Sequence, residues 1–171
     1  PESTADSQLK AYFKHLSAPL VERLGWLKPN HESNDEGLTR PIVLKAALFG
    51  NNQSVIKQGH ALFEKAKSLS NLPASIRGLI LANEMKRYGN HDLFRRFVAD
   101  YQKTADPAFQ TDLLNAVTQS TDPQILHQIV SLFEDASVIK PQDLRSWFKG
   151  VLSNPKGQQM AWDWFRDHWQ W

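Results

Sequence analysis

An all-α fold of antiparallel helix pairs, stacked into an irregular solenoid, is what the 171-residue chain predicts. Three observations lead there. Segments with 3.6-residue periodicity fill almost the whole length, and no run alternates with period two. Short polar joints divide those segments. They open at Gly50, Gly89, Ser120 and Ser153, which are 39, 31 and 33 residues apart, the size of a two-helix repeat. The helices after the joints also resemble one another: Val55, Ile56, Leu62 and Phe63; then Leu93, Phe94, Phe97, Val98 and Tyr101; then Ile125, Leu126, Ile129, Val130 and Phe133; then Met160, Ala161, Trp164 and Phe165. A stack of HEAT-like pairs explains this recurrence. A globular bundle is the other arrangement the spacing allows.

In chain order, a lead helix occupies the region 5–25, where Leu9, Tyr12, Phe13, Leu16, Leu20 and Leu24 keep a helical spacing. Pro19 is expected to kink or divide it, and Gly25 to stop it. The stretch 29–37 has no apolar residue after Pro29 and reads as a loop. The helix-pair stack then runs over 38–171, so 1–171 reads as a single all-helical domain. Partner helices fall near Leu38–Phe49, Ala74–Tyr88, Pro107–Gln119 and Gln142–Leu152, three of them opened by Pro73, Pro107 and Pro141. Gly50 and Gly89 read as C-terminal caps. Asn51, Asn90, Asp122 and Asn154 read as N-caps, with Pro123 and Pro155 at the first helical position, where a missing N–H costs nothing.

Composition narrows the function. A chain of this length buries roughly 70% of its unfolded surface, enough for one sizeable core. With 41% hydrophobic and 22% charged residues it is no disordered tail. Its 20 Lys+Arg against 18 Asp+Glu leave a formal charge of +2, with scattered basic doublets (Lys86-Arg87, Arg95-Arg96) rather than a stripe, which argues against a nucleic-acid partner. No apolar run reaches the ~20 residues of a membrane span. Cysteine is absent. That removes disulfides and thiol catalysis and suits a reducing compartment, so a cytoplasmic location is expected.

The sequence offers no catalytic, cofactor-binding or metal-ligating residue. It lacks both glycine-rich phosphate loops and the G-x-S-x-G elbow. No two of the histidines at 15, 31, 60, 91, 127 and 168 lie four or fewer apart, so H-E-x-x-H is missing. His60 and Glu64, one turn apart, read as a surface pair. Arg40, Arg77 and Arg145 each sit near the start of a helix, where the dipole disfavours a cation. They are the candidates for a carboxylate contact, either inside the fold or with a peptide.

The C-terminal helix is apolar on two faces. Trp162, Phe165 and Trp169 form one, and Trp164, His168 and Trp171 the other. A cut through a longer structure is the expectation, with self-association through the cut face having no cellular meaning.

These residues also carry a resemblance. Leu24-Gly25-Trp26, then Leu38-Thr39-Arg40-Pro41 running on to Leu48, then Pro73-Ala74-Ser75-Ile76-Arg77-Gly78, Leu113 to Pro123, Gln142-Asp143-Leu144-Arg145 and Asn154 to Phe165 appear in that order. Together they resemble the C-terminal helical domain of zinc aminopeptidases of the aminopeptidase N type, most closely the form in lactic acid bacteria. The likeness runs from about Leu20 to Trp171. It implies a HEAT-like, bowl-shaped domain that closes over a separate catalytic domain of the same polypeptide, encloses its chamber and controls peptide access. It also implies a parent enzyme that uses zinc to release N-terminal residues from peptides. The family's zinc motif and its exopeptidase glycine-rich motif are absent here, so no catalytic residue carries over. A free-standing solenoid that binds a protein or peptide is the alternative.

Overall fold

The computed structural model describes residues 3–28 and 33–168, and every regular element among them is helical. The α-helices are α1 (Thr4–Leu24), α2 (Asn34–Phe49), α3 (Gln53–Lys65), α4 (Ala74–Tyr88), α5 (His91–Lys103), α6 (Pro107–Val117), α7 (Pro123–Ser131), α8 (Pro141–Leu152) and α9 (Gln158–Asp167), with 3₁₀ turns at Leu69–Asn71 and Leu132–Glu134. The chain forms two compact units, divided within α4 between Asn83 and Glu84.

In the first unit α1 and α2 form an antiparallel hairpin. Both open on a capping box: the Ser3 hydroxyl accepts from the Asp6 N–H, and the Ser33 hydroxyl from the Glu36 N–H. The Ser33 N–H and then its hydroxyl hold the Glu36 carboxyl below its ordinary range, and the Ser3 hydroxyl and then its N–H do the same for Asp6. The Ser33–Glu36 box corrects the expected loop, because residues 34–37 belong to α2; residues 29–32 lie outside the described residues. α1 runs through Pro19 as one helix, and Gly25 ends it at φ 56°. Gly50 closes α2 with an ordinary φ of −70°, and the left-handed turn falls on Asn51, whose φ is 55°. Asn52, not Asn51, therefore caps α3, accepting from the N–H groups of Ser54 and Val55. Gly50 is needed for space, since a Cβ there would lie 2.5 Å from the Lys14 backbone nitrogen. The core of this unit gathers Val43, Leu44 and Ala47 of α2, Val55, Ile56 and Phe63 of α3, and Ile76, Ile80 and Leu81 of α4. The Trp26 indole N–H donates to the Val55 carbonyl at 3.1 Å.

In the second unit α5 packs on α6, α6 on α8, α7 on α8 and α9, and α8 on α9. Asn90 and Asp122 cap α5 and α7 as expected, and Pro123 takes the first helical position. The repeated apolar spacing becomes core: Phe94, Phe97 and Tyr101 of α5, Ile125, Leu126 and Ile129 of α7, and Trp147 and Val151 of α8 are buried. The last joint differs from its expectation. Asn154 caps no helix, and α9 opens at Gln158 behind Gly157, so Pro155 is not its first residue.

Candidate functional site

A groove of about 420 Å³ lies between α6 and α8, within the second unit. That volume is in the range of a small-ligand or peptide side-chain site. Helical spacing builds its walls. Thr111 and Asn115 on α6 and its C-cap Thr118 recur at i, i+4 and i+7, while Asp143, Ser146, Lys149 and Gly150 recur at i, i+3, i+6 and i+7 on α8.

One end is closed by the α6–α7 and α8–α9 joints. A Cβ on Gly150 would lie 2.7 Å from the Thr118 methyl, so α8 passes in close contact with the end of α6 there. The Thr118 hydroxyl donates to the Leu114 carbonyl at 3.1 Å, which fixes its side chain in that approach. Beneath it, buried Asn154 donates to the carbonyls of Thr118 and Ser120, each at 2.8 Å, and accepts from the Lys156 N–H at 3.0 Å. This side chain ties the α8–α9 joint to the α6–α7 joint.

At the other end the Tyr101 hydroxyl donates to the Asp143 carboxylate at 3.2 Å. Burial pushes the Tyr101 hydroxyl above its ordinary range, and the Asp143 charge adds to this. The Tyr101 ring stands edge-on to Trp147 at 5.1 Å, and Gln110 donates to the Tyr101 and Thr104 carbonyls. Asp143 is thus already engaged. Lys149 is exposed and has no ion-pair partner among the described residues. Arg145 is also exposed without one, a single turn before Lys149 on α8. Hydroxyls, amides, the Asp143 carboxylate and the Lys149 ammonium thus line the groove.

The sequence-derived candidates fall apart into two kinds. Arg40 and Arg77, in the first unit, are both 4% exposed; the Arg40 Nε donates to the Leu24 carbonyl at 3.2 Å and the Arg77 Nη1 to the Ser70 carbonyl at 3.3 Å. Arg145, in the second unit, is exposed on α8 and is not among the residues that line the groove. Lys149, Ser146, Asp143 and Tyr101 were not singled out from the sequence as site residues. His60 and Glu64 sit one turn apart on α3, the first half-buried and the second exposed.

The tryptophan-rich helix carries a second constellation. The Trp164 ring packs edge-on against Phe133 at 5.1 Å and stacks on His168 at 4.8 Å. The Glu134 carboxylate accepts from the Trp164 indole N–H at 3.2 Å and pairs with His168 Nε2 at 2.9 Å. Trp162 is 52% exposed, and Trp169 and Trp171 lie outside the described residues.

Comparison with known proteins adds the relationship. The family described as ERAP1-like C-terminal domain matches residues 2–171. Aminopeptidase N of Lactobacillus delbrueckii subsp. lactis is 48% identical over 170 residues, covering 99% of this chain and 20% of that protein. Aminopeptidase N of Lactobacillus helveticus is 43% identical over 172 residues, covering 100% of this chain and 20% of that protein. Glutamyl aminopeptidase of Sus scrofa is 25% identical over 168 residues, covering 95% of this chain and 17% of that protein. The chain spans about one fifth of the length of the curated relatives it matches.

Proposed function

Since the chain belongs to the ERAP1-like C-terminal domain family, we propose that it serves a zinc-dependent aminopeptidase as a non-catalytic helical domain, stacked as a HEAT-like solenoid, that encloses the active-site chamber and controls which peptides enter. The observation that carries this is the match along residues 2–171 combined with a span of only one fifth of the relatives. The parent enzyme releases N-terminal residues from peptides, and its catalytic domain is this chain's partner in the same polypeptide. Zinc belongs to that catalytic domain; this chain has no H-E-x-x-H, and no step of hydrolysis is assigned to its residues. No described helix is long and apolar enough to cross a membrane. The cysteine-free composition suits the cytoplasm.

On this reading the α6–α8 groove meets the peptide. Arg145 and Lys149 take its C-terminal carboxylate, and the hydroxyls and amides beside them take its backbone. Arg40 and Arg77, buried against backbone carbonyls, brace the fold.

The test is kinetic. In the polypeptide that carries this chain, Arg145→Ala with Lys149→Ala is expected to raise KM for octapeptides about fivefold, as loss of roughly 1 kcal/mol of exposed ion pairing implies. A single-residue chromogenic amide, and the same octapeptides with amidated C-termini, are expected to be cleaved as before. An equal effect on all substrates contradicts the groove's role. Absence of any chelator-sensitive aminopeptidase activity contradicts the parent enzyme and favours a free-standing binding solenoid.

A further inference from the structure

The outward side of the α1–α2 hairpin has the pattern of a core face yet stands in solvent. Leu38, Ile42 and Phe49 on α2 are 73%, 69% and 43% exposed, and Leu9, Tyr12 and Leu16 on α1 are 46%, 60% and 54% exposed. The α1 residues recur at i, i+3 and i+7 and the α2 residues at i, i+4 and i+11, so each set forms one stripe. The hairpin is antiparallel: Lys14 lies against Gly50 at one end, and the Arg40 Nε reaches the Leu24 carbonyl toward the other. Taken with the handedness of the helices, these contacts turn both stripes to the same side, opposite the buried Val43, Leu44 and Ala47. The seam between them is aromatic, with Phe13 edge-on to Phe49 at 5.2 Å and to Tyr12 at 5.9 Å.

α2 is therefore apolar on opposite faces, one buried and one bare. A helix patterned this way is covered on two sides. Along the hairpin the stripes are staggered: Phe49 lies level with Tyr12 and Leu16, while Ile42 and Leu38 lie level with the far end of α1, so together they form an oblique band that one further helix can cross.

We infer that this face is an intramolecular interface, occupied by an amphipathic helix from the part of the parent polypeptide outside this chain. The inference rests on the proposed function, in which the parent is longer than 171 residues, as the one-fifth span of the relatives supports. Area favours this occupant over a second copy. The patch exposes on the order of 500 Å² of apolar surface, at the upper end for a monomer. A dimer built on it alone would bury about 1,000 Å², below the 1,200–2,000 Å² of stable interfaces. A tethered helix, held at high effective concentration, needs less area than a free partner.

Because the chain has no cysteine, a single thiol reports on the face cleanly. Ile42→Cys and, separately, Leu16→Cys are placed in the 171-residue chain and in the parent polypeptide, and alkylation by N-ethylmaleimide at that position is followed by peptide mass spectrometry. Both thiols are expected to react rapidly in the 171-residue chain. In the folded parent the reaction is expected to be at least about tenfold slower, because a docked helix exposes them only on local opening. Equal rates in the two proteins overturn the interface. So does protection in the 171-residue chain that grows with its concentration, which marks a second copy as the occupant. A native polypeptide of only 19.5 kDa overturns the parent-enzyme reading instead, and is recognised by its mass before any labelling.

Discussion

Trp147→Ala is expected to remove about 3–5 kcal/mol, the usual cost of truncating a buried tryptophan. Trp147 is fully buried on α8 and packs edge-on against Tyr101. A domain holds only about 5–15 kcal/mol in all, so this one cavity takes a large share of it. The loss is read as a fall in the urea midpoint followed by circular dichroism, since six tryptophans blur the fluorescence. Trp147→Phe separates the two contributions of the indole. Its N–H makes no hydrogen bond of standard geometry among the described residues, though it is directed at the Tyr101 hydroxyl, whose rise it partly opposes, and removing a poorly paired buried donor offsets part of the lost volume. Trp147→Phe keeps a ring but leaves a small cavity, so it should cost clearly less than alanine, on the order of 1–2 kcal/mol. A loss equal to that of alanine would mean the N–H is paired in solution.

The second large effect is expected at Asn154. Asn154→Ala strands the Thr118 and Ser120 carbonyls beneath the groove and costs about 2–4 kcal/mol, the penalty of leaving buried polar groups unsatisfied. Asn154→Asp decides whether hydrogen bonding or packing is responsible. It keeps the size and the acceptor for the Lys156 N–H, but sets an oxygen against two carbonyl oxygens. It is expected to be at least as damaging as alanine in urea unfolding. A harmless aspartate would show that the two donated bonds contribute nothing. With either loss, Thr118 no longer holds its place against Gly150, so amide exchange in the last turn of α6 should quicken.

Asn154 also shows how far the sequence reads. Its partners lie 34 and 36 residues away, in the previous joint. In the linear sequence it looks like its neighbours Asn90 and Asp122, which do cap helices. Those caps are legible because a cap is local, satisfied within three residues by the helix it opens. For the same reason the α5 stripe Phe94, Phe97 and Tyr101 is legible as core. The start of α2 was hidden by its polarity: the capping box of Ser33 and Glu36 sits in a run with no apolar residue, which also describes a loop. At Gly50 the glycine is legible but its reason is not, because the Lys14 backbone it admits comes from another helix.

The groove was the least visible. Thr111, Asn115, Ser146 and Lys149 form polar stripes on helices that begin 34 residues apart, at Pro107 and Pro141, and a polar stripe alone is what a solvated face shows. The buried arginines left a better trace. A cation early in a helix gains nothing from the dipole, which points to a carboxylate partner; Arg40 and Arg77 are buried and donate to the Leu24 and Ser70 carbonyls.

The mass of the native polypeptide in source-cell lysate, by immunoblot against this chain, tests the proposed role most directly. A band several times heavier than 19.5 kDa, with chelator-sensitive aminopeptidase activity co-purifying, is the expected result. A band at 19.5 kDa without that activity would contradict it.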